Sequence, residues 1–540
     1  MRNSIMIIFF ISFIMTIGYC EKYDCYGVNS WHWNIGTVNY LRAANIKKYR
    51  VMVNWKYLEP ERGIYTWNGS KGSDRYCDLE YNILNLRAAN RQTENIVKIS
   101  LCVFDSPIWA RKVSDKVLSY SPTDYCKFLI EVLKFVDNRA PGIIESVEIE
   151  NEYPTSAIDM KRPPVYLTDQ RDPSWYYADI LKSAYNTIKS YNPKILVVIS
   201  GIWDSAYHHL DEIYQLGCKG YFDRINLHYY TGTDITGVIR EQKSPKDISI
   251  YHFPTVIGYL KNIANRYRDN SPIWLTEFGW RLPEKQKSDN LEYILDTCRK
   301  SGYVERAYYY VATTGARERG TSFDNIALIY VQTLDEGEKF DNDTEYEREP
   351  ISYKLTDAYH RYKKFTINYP TWDKPEKLDY IPAALKDIDV PNPGFESGTK
   401  SGWSGSYELE NTVKYSGNYS MKIVSGNKVE SDIMKIENSK LYEVSFWIKV
   451  DGDSSDSIMC IPSFDYVSEN GKIIKTEGVN LLGIVDTRRY PSGWRKIVFP
   501  VVAPKEFNQC RLKFDVQGNG VVFIDEIKIS ALDLSYLNNR

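Results

Sequence analysis

The chain has 540 residues, of which 43% are hydrophobic and 26% are charged, so it can build globular cores. Its 68 basic and 70 acidic residues give a formal net charge of −2, which argues against nucleic acid as a partner. A chain of this length is expected to form two domains, or one large domain and one small one. We expect it to act as a monomer.

Residues 1–20 have the pattern of a secretory signal peptide. Arg2 supplies a positive charge, an uncharged apolar run follows, and the small residues Gly18 and Cys20 fit positions before a cleavage site. The pattern predicts a secreted, extracellular or periplasmic protein. A lipoprotein anchored at Cys20 is a less favoured alternative, because the bulky Tyr19 precedes the cysteine. No later run is long and apolar enough to predict a transmembrane segment.

The cysteines that follow the predicted signal peptide are even in number, which permits disulfides in an exported chain. Cys460 and Cys510 are the two cysteines of the C-terminal region, and we predict that they pair. Cys102 lies within an apolar strand pattern and is predicted to be a buried thiol. No Cys-x-x-Cys or histidine-rich pattern indicates zinc, and we expect no cofactor for catalysis.

Residues 21–368 alternate short β-prone runs with longer helical patterns. Eight strands, each followed by a helix, predict an α/β fold whose parallel sheet closes into a (β/α)8 TIM barrel. A doubly wound open sheet is the alternative, but no glycine-rich phosphate loop follows the first strand. The predicted strands are 26–30, 49–55, 96–104, 146–150, 195–200, 224–229, 272–276 and 306–311. The predicted helices are 37–44, 79–89, 124–138, 173–191, 255–267, 290–302 and 351–365.

Residues 369–390 contain Pro370, Pro375 and Pro382 and are predicted to form a linker. From 391 to 532, short alternating strands are separated by Gly, Ser and Asn turns. This pattern predicts a second domain that is an all-β jelly-roll sandwich.

The fourth and seventh predicted strands each lead into a carboxylate. Glu152 ends the run Val-Glu-Ile-Glu-Asn-Glu, and Glu277 ends Pro-Ile-Trp-Leu-Thr-Glu. Because the carboxyl ends of barrel strands meet on one face, the two side chains are expected to share a pocket. Cleavage of a glycosidic bond needs such a pair, one group as proton donor and the other as nucleophile. The alternatives are an acidic strand edge for Glu152 and a helix N-cap for Glu277.

Strand alternation places Glu148, Glu150 and Glu152 on one face of the fourth strand. Glu148 would lie roughly 13 Å deeper in the barrel than Glu152. We predict that it pairs with a buried arginine, for which Arg50 on the second strand is the candidate.

These motifs resemble clan A of the glycoside hydrolases, retaining enzymes on a (β/α)8 barrel, with families 39, 5 and 42 as the nearest in appearance. In that clan an Asn-Glu pair ends strand four and gives the acid/base, and a Glu ends strand seven and is the nucleophile. Asn151, Glu152 and Glu277 match those places. The second-strand region 49–67, with its Glu-Pro and Gly-x-Tyr-x-Trp elements, is also similar to clan members.

The resemblance implies roles for further residues. Arg50 would steady the nucleophile, which competes with its pairing to Glu148, and Asn151 would bond the 2-hydroxyl of the sugar. His228 and Tyr230 match a His-x-Tyr motif that ends strand six, and the tyrosine would contact the nucleophile. The implied reaction is double displacement on a poly- or oligosaccharide, with the carboxyl groups about 5–5.5 Å apart. Strand eight departs from the clan, because the run 307–313 contains no tryptophan.

Several tryptophans fall at or just past predicted strand ends. Aromatic faces pack on the C–H faces of sugar rings, although most aromatic residues in any protein lie in the core. We predict that Trp33, Trp109 and Trp280 bind substrate. Trp31, Trp55 and Trp203 occupy similar positions.

The C-terminal region resembles carbohydrate-binding modules of families 4, 9 and 22. The similarity lies in Asn-Pro-Gly-Phe-Glu-Ser-Gly at 392–398, in Gly-Trp-Arg-Lys at 493–496 and in the strand 520–529. Many such modules hold a structural calcium, which oxygen ligands suit, and Glu396 and Asp525 are in matching places. Both could instead be surface carboxylates in turns. Trp403 and Trp494 can bind sugar or belong to the core.

Two other functions fit the same features. A non-catalytic carbohydrate-binding or adhesion protein would keep the barrel and lose a carboxylate, whereas Glu152 and Glu277 are both present. A transglycosidase would use the same two residues, and only the products separate it from a hydrolase.

Overall fold

The computed structural model describes residues 25–69, 78–91, 97–111, 120–153, 173–203, 208–230, 252–314, 326–332, 352–372, 384–438, 440–451, 458–468, 470–478, 492–503 and 506–532. The predicted signal peptide, Cys20 and the middle of the predicted linker lie outside these residues. Within the described part, no helix is long and apolar enough to cross a membrane.

A parallel sheet of nine strands forms the N-terminal part and confirms the predicted TIM barrel. Two of the nine, β5 and β6, are halves of the fifth barrel strand. β5 pairs with β4 and β6 pairs with β7, while Val198 bridges to Arg224, so the sheet closes on itself. The strands are β1 (Tyr26–Ser30), β2 (Lys48–Asn54), β3 (Lys98–Phe104), β4 (Ile144–Ile149), β5 (Leu196–Val198), β6 (Ile202–Trp203), β7 (Ile225–Tyr229), β8 (Ile273–Phe278) and β9 (Val304–Tyr309).

Helices surround the sheet and bury the outer faces of the strands, so β1, β2, β7 and β8 are buried along their whole length. Proline begins α4, and α8 ends at Gly302, whose positive φ of 74° suits a helix terminus. The short helices α2 and α6 were not predicted. The helices are α1 (Ile35–Ala43), α2 (Trp55–Leu58), α3 (Leu79–Arg91), α4 (Pro122–Arg139), α5 (Pro173–Tyr191), α6 (His208–Gln215), α7 (Phe253–Arg266), α8 (Glu284–Ser301) and α9 (Asp357–Asn368).

A small three-stranded sheet follows the barrel strands, and the sequence did not predict it. It contains β10 (Thr313–Thr314), β11 (Ile329–Gln332) and β12 (Ser352–Leu355). The predicted start of the last helix at 351 is wrong, because β12 pairs antiparallel with β11. Helix α9 begins after Thr356, whose side chain accepts a hydrogen bond from the amide of Tyr359.

Two antiparallel sheets form the C-terminal part and enclose their own apolar core, which confirms the predicted sandwich architecture. Trp403 and Trp494 are both buried. The first sheet contains β13 (Ala384–Asp387), β15 (Glu408–Glu410), β16 (Ser420–Val424), β19 (Leu441–Asp451), β22 (Arg495–Val502) and β24 (Val521–Leu532). The second contains β14 (Trp403–Gly405), β17 (Lys428–Ser431), β18 (Met434–Lys435), β20 (Met459–Val467), β21 (Ile473–Gly478) and β23 (Gln509–Gln517).

The predicted disulfide between Cys460 and Cys510 is wrong, because both are free thiols. They lie on the paired strands β20 and β23, but Cys460 faces Val516 and Cys510 faces Tyr466. An offset of six residues along a ladder is about 20 Å, far beyond the reach of a disulfide. Cys102 is buried, as predicted.

The sandwich packs against helices α6 and α7 of the barrel. Arg495 forms a buried ion pair with Glu212, and Arg266 donates to Glu443 at 2.7 Å. Leu441 and Leu532 belong to the apolar core of the barrel rather than to that of the sandwich.

Candidate active site

The ends of β4 and β8 bring Glu152 and Glu277 together. Glu277 is the fifth residue of β8, and Glu152 follows the last residue of β4 by three positions. A carboxylate oxygen of each and a ring nitrogen of His228 all lie within 4.8 Å of one another. The side chain of Glu152 is 27% exposed and that of Glu277 is 8% exposed. The two carboxyl groups therefore share one pocket, and Glu152 has more contact with solvent.

Glu277 has a donor on each carboxylate oxygen. Nη1 of Arg50 forms an ion pair with Oε1, and the Tyr230 hydroxyl donates to Oε2 at 2.5 Å. Burial, together with the charge of Glu277, raises the pKa of Tyr230 well above its usual value, so the phenol keeps the proton that it donates. These contacts stabilise Glu277 as a carboxylate.

Arg50 contacts both Glu148 and Glu277, which the sequence suggested as alternative partners. Its Nε and Nη2 bond the two oxygens of Glu148 at 2.7 and 2.8 Å, while Nη1 reaches Glu277. Nη2 also donates to Oδ1 of Asn151 at 2.7 Å, so the amide nitrogen of Asn151 is the group of that side chain that can act as a donor. One fully buried guanidinium thus connects strands β2, β4 and β8.

His228 lies between the two carboxylates and the barrel interior. Its Nδ1 is 2.8 Å from Oε1 of Glu152, and its Nε2 is 2.9 Å from the hydroxyl of Thr276. Burial acts to lower the pKa of His228, but the neighbouring carboxylates, Glu277 first, raise it to about 9. A side chain at Gly201 would collide with the imidazole, since an added Cβ would lie 2.2 Å from it. This contact explains the glycine in the break between β5 and β6.

Glu150 does not share the face of Glu148 and Glu152, which corrects the prediction. Its backbone has a positive φ of 67°, so the strand alternation ends at Ile149. The carboxyl group instead accepts a hydrogen bond from the buried hydroxyl of Tyr120. Burial raises the pKa of Glu150 to about 8. The group is therefore largely protonated at neutral pH.

Three groups this close could also hold a metal ion. However, the guanidinium of Arg50 already places a cation beside Glu277. The raised pKa of His228 keeps its imidazole protonated at neutral pH, and a protonated imidazole has no lone pair for a metal. The arrangement fits acid–base and nucleophilic chemistry better than metal binding.

Two of the three predicted substrate-binding tryptophans lie in the core. Trp33 and Trp280 are fully buried; Trp33 packs edge-on against Tyr49. Their rings cannot stack on a sugar, which corrects those two predictions. Trp109 is half-buried, but Arg62 covers its ring at 4.7 Å. Its role in substrate binding stays a prediction.

Trp31 and Tyr310 were not chosen from the sequence, yet they stand at the mouth of the barrel. Trp31 is half-buried and donates its indole N–H to the Tyr310 hydroxyl at 3.0 Å. The Tyr310 ring packs edge-on against Tyr230, which bonds Glu277. Tyr310 follows strand β9, the eighth of the barrel, in the run 307–313 that contains no tryptophan. The sequence feature that could have indicated Tyr310 is the run of three tyrosines, 308–310, at the end of that strand.

Gly279 brings the ends of β8 and β9 together. An added Cβ there would lie 2.1 Å from the carbonyl oxygen of Tyr310. The glycine allows a close approach of two chain segments, and its φ is not positive.

The sandwich brings together the predicted calcium ligands. Glu396 accepts the amides of Asn418 and Tyr419, and Asp525 accepts those of Tyr415 and Ser416. These backbone hydrogen bonds hold the pKa of Glu396 below its usual value. A Cβ at Gly394 would lie within 4 Å of a carboxylate oxygen of Asp525 and of Glu526 and of Cγ of Glu396. Oxygen ligands suit calcium, and its binding by Glu396 and Asp525 stays a prediction.

Residues 178–329 match the family model of the glycosyl hydrolase catalytic core, a segment that contains His228, Tyr230 and Glu277. A search of curated proteins found no match.

Solved structures with similar folds include glycoside hydrolases. A family 39 glycoside hydrolase from Bacteroides cellulosilyticus WH2 is 14% identical, with a TM-score of 0.42 over 91% of this chain and 81% of that one. A GH5_18 protein from Streptomyces cattleya, in complex with Manb1-4GlcNAc, is 14% identical, with a TM-score of 0.45 over 65% and 82%. The CBM22-1 xylan-binding domain of Paenibacillus barcinonensis Xyn10C is 17% identical, with a TM-score of 0.22 over 28% and 97%.

Proposed function

We propose that this chain, whose residues 178–329 match the glycosyl hydrolase catalytic core, is a glycosidase that hydrolyses a poly- or oligosaccharide by double displacement with retention of configuration. The observation that carries the proposal is the separation of at most 4.8 Å between carboxylate oxygens of Glu152 and Glu277. Retaining enzymes hold their two carboxyl groups about 5–5.5 Å apart, whereas inverting enzymes need about 6.5–9.5 Å to admit a water.

Glu277 acts as the nucleophile. Arg50 and Tyr230 each bond one of its oxygens and fix their positions, and its low exposure leaves little water to shield its charge. It attacks the anomeric carbon and forms a glycosyl-enzyme ester, and the hydrogen bond from Tyr230 can pass to the ring of the reacting sugar as that charge is consumed.

Glu152 acts as the acid and then as the base. In the first step it protonates the departing oxygen, and in the second it takes a proton from the water that cleaves the ester. Its greater exposure admits that water, and His228 fixes its orientation through Nδ1. In the free enzyme the neighbouring carboxylates, Glu277 first, outweigh the effect of burial and raise the pKa of His228 to about 9, so the imidazole that contacts Glu152 is charged at neutral pH.

Chemical rescue of two variants tests these roles separately. Glu277→Ala and Glu152→Ala are each assayed on aryl glycosides with and without azide, and the anomeric configuration of the glycosyl azide is read by NMR. We expect azide to restore turnover in both. The Glu277→Ala product should be inverted, since azide replaces the nucleophile, and the Glu152→Ala product should be retained.

The opposite stereochemistry would exchange the two roles, and full activity of Glu277→Ala on every glycan tried would reject the mechanism. Product sizing with an added acceptor sugar distinguishes hydrolysis from transglycosylation, since a transglycosidase would lengthen the acceptor. A non-catalytic binding protein would show no turnover in any of these assays.

We also propose that the chain is exported, on the strength of its N-terminal sequence pattern, and that it acts as a monomer.

A further inference from the structure

The turn that follows β4 and holds Asn151 and Glu152 has an uncommon backbone. Glu150 and Glu152 have positive φ angles of 67° and 52°, in the left-handed region that residues with a side chain rarely adopt. A chain keeps two such residues so close together only where the surrounding contacts hold them. The direction of the Glu152 side chain therefore depends on the contacts that fix this turn.

The side chain of Glu150 fixes the start of the turn. It is buried and accepts a hydrogen bond from the hydroxyl of Tyr120, which is buried as well. The main chain of Glu150 is bonded to β3, since its amide donates to the carbonyl oxygen of Val103 at 3.0 Å. Rotation about the N–Cα bond moves the side chain, so a carboxyl group that is held in place also holds the φ angle of Glu150.

Tyr120 is itself fixed by the core of the barrel. Its ring packs edge-on against Trp55 with centroids 5.4 Å apart, and it lies 5.5 Å from the ring of Tyr125. Tyr125 donates its hydroxyl at 2.8 Å to the carbonyl oxygen of Val103, the same atom that accepts the amide of Glu150. These three aromatic residues belong to the apolar core of the barrel. The hydroxyl of Tyr120 is therefore a rigid anchor for the carboxyl group of Glu150.

The far end of the turn is attached to the barrel as well. The amide of Tyr153 donates to the hydroxyl of Ser200 at 2.7 Å, so the turn is held at Glu150 and at Tyr153. Glu152 lies between these two points, with an oxygen 2.8 Å from Nδ1 of His228. The contact with His228 fixes the carboxyl group of Glu152, and the two attachments fix the backbone from which its side chain extends.

Glu150 is separate from the catalytic pocket. It is 1% exposed, whereas the side chain of Glu152 is 27% exposed. Burial raises the pKa of Glu150 to about 8, and the hydrogen bonds from Tyr120 and from the amides of Asp105 and Asn151 offset only part of this effect. At neutral pH a largely uncharged group therefore holds the turn, and it does so without contact with a substrate.

We propose that Glu150, anchored by Tyr120, is a positioning residue for the acid/base Glu152. The inference rests on the proposed function, which assigns that role to Glu152. Without the anchor, the turn relaxes toward ordinary φ values, and the carboxyl group of Glu152 moves away from the leaving oxygen. The reaction then loses the help of the acid, while the nucleophile Glu277, on another strand, stays in place.

The dependence of the rate on the leaving group tests the inference, because a good leaving group departs without a proton from an acid. The measured constant is kcat/KM, on a dinitrophenyl glycoside and on the phenyl glycoside of the same sugar. Tyr120→Phe and Glu150→Leu each remove the anchor, whereas Glu150→Gln keeps an oxygen that accepts the Tyr120 hydroxyl. Tyr362→Phe is the matched control, because the buried Tyr362 hydroxyl donates to the carbonyl oxygen of Gly27 on β1 at 3.0 Å.

We expect Tyr120→Phe and Glu150→Leu to lose roughly tenfold or more in kcat/KM on the phenyl glycoside, and less than about twofold on the dinitrophenyl glycoside. Glu150→Gln should recover most of the loss seen in Glu150→Leu, and Tyr362→Phe should match the wild type on both substrates. A variant that only folds less well loses equally on both substrates. Equal losses would therefore overturn the inference, as would wild-type values in both anchor variants.

Glu152→Ala, measured beside these variants, separates the inference from the proposed function. It should show the largest difference between the two substrates. If Glu152→Ala shows that difference and the variants of Glu150 and Tyr120 do not, Glu150 is not a positioning residue and the proposed function stands. If Glu152→Ala shows no difference, the acid role of Glu152 is wrong, and the inference is wrong with it.

Discussion

The barrel and the sandwich each gather carboxylates, but they balance the charges by different means. In the barrel, Glu148 and Glu277 face the guanidinium of Arg50. In the sandwich, Glu396 and Asp525 face backbone amides of the loop 415–419. The guanidinium of Arg50 balances the buried charge of Glu277 and leaves that carboxylate able to react. In the sandwich, the hydrogen bonds from backbone amides to the carboxylates fix the conformation of the loop. The groups that a carboxylate contacts therefore indicate its function better than its solvent exposure does.

The largest expected effect comes from removing the deepest charge of the barrel. Glu148→Gln leaves Arg50 without its bidentate partner in a place with no exposure. Breaking a buried ion pair from one side costs about 3–5 kcal/mol of the free energy of unfolding. Urea unfolding measures the loss. Glu408→Gln is the control, because Glu408 is 69% exposed beside Lys422 and should cost less than about 1 kcal/mol. Similar losses for the two variants would remove the contrast between buried and exposed carboxylates.

The next effect concerns the donor to the nucleophile. Tyr230→Phe removes one hydrogen bond to Glu277 and little else, and we expect kcat to fall about 10²-fold, with a smaller change in KM. Steady-state kinetics on an aryl glycoside measures both constants. Tyr229→Phe is the control, since the Tyr229 ring packs on Phe253 outside the pocket. Equal kcat values for the two variants would show that Tyr230 does not assist the reaction.

Calcium tests whether the carboxylates of the sandwich also accept a cation. We expect calcium to raise the melting temperature of the full chain, with about 2.7 kcal/mol of stabilisation at a hundredfold excess over Kd. Glu396→Gln should reduce the shift, because it removes one of the two carboxylates predicted to bind calcium. Differential scanning calorimetry with calcium and with chelator measures it. Identical melting curves in the two buffers would reject the calcium site.

The smallest expected effect is the pH dependence of stability that arises from the ionisation of Glu150. Burial raises the pKa of Glu150 to about 8, from an ordinary value of 4.5, so ionisation between these values favours the unfolded chain. The free energy of unfolding should therefore fall by about 1.4 kcal/mol between pH 6 and pH 7 through this group. Glu150→Gln lacks the titrating group and should show a shallower dependence. Equal slopes for wild type and variant would mean that Glu150 titrates as an ordinary carboxyl.

The sequence predicted the barrel because short β-prone runs alternate with longer helical patterns, and two of these runs lead into Glu152 and Glu277. It did not predict α6, because its segment His-His-Leu-Asp-Glu-Ile-Tyr-Gln is short and largely polar. Nor could it predict the break of the fifth strand at Gly201, which follows from a contact with His228, distant in the chain.

Within the site, the sequence indicated the residue types and the strand ends, but not the directions in which the side chains point. Glu150 was misplaced because alternation assumes an extended backbone, and a positive φ ends it. Trp280 was misjudged because the position after a strand does not say whether a ring turns inward. Arg50 has two roles because a guanidinium has five donors, and sequence patterns had suggested them as rivals.

Leu441 and Leu532 of the sandwich contribute to the apolar core of the barrel. They cover apolar surface of the barrel. Deleting the sandwich would therefore expose an apolar patch on the barrel, which favours aggregation.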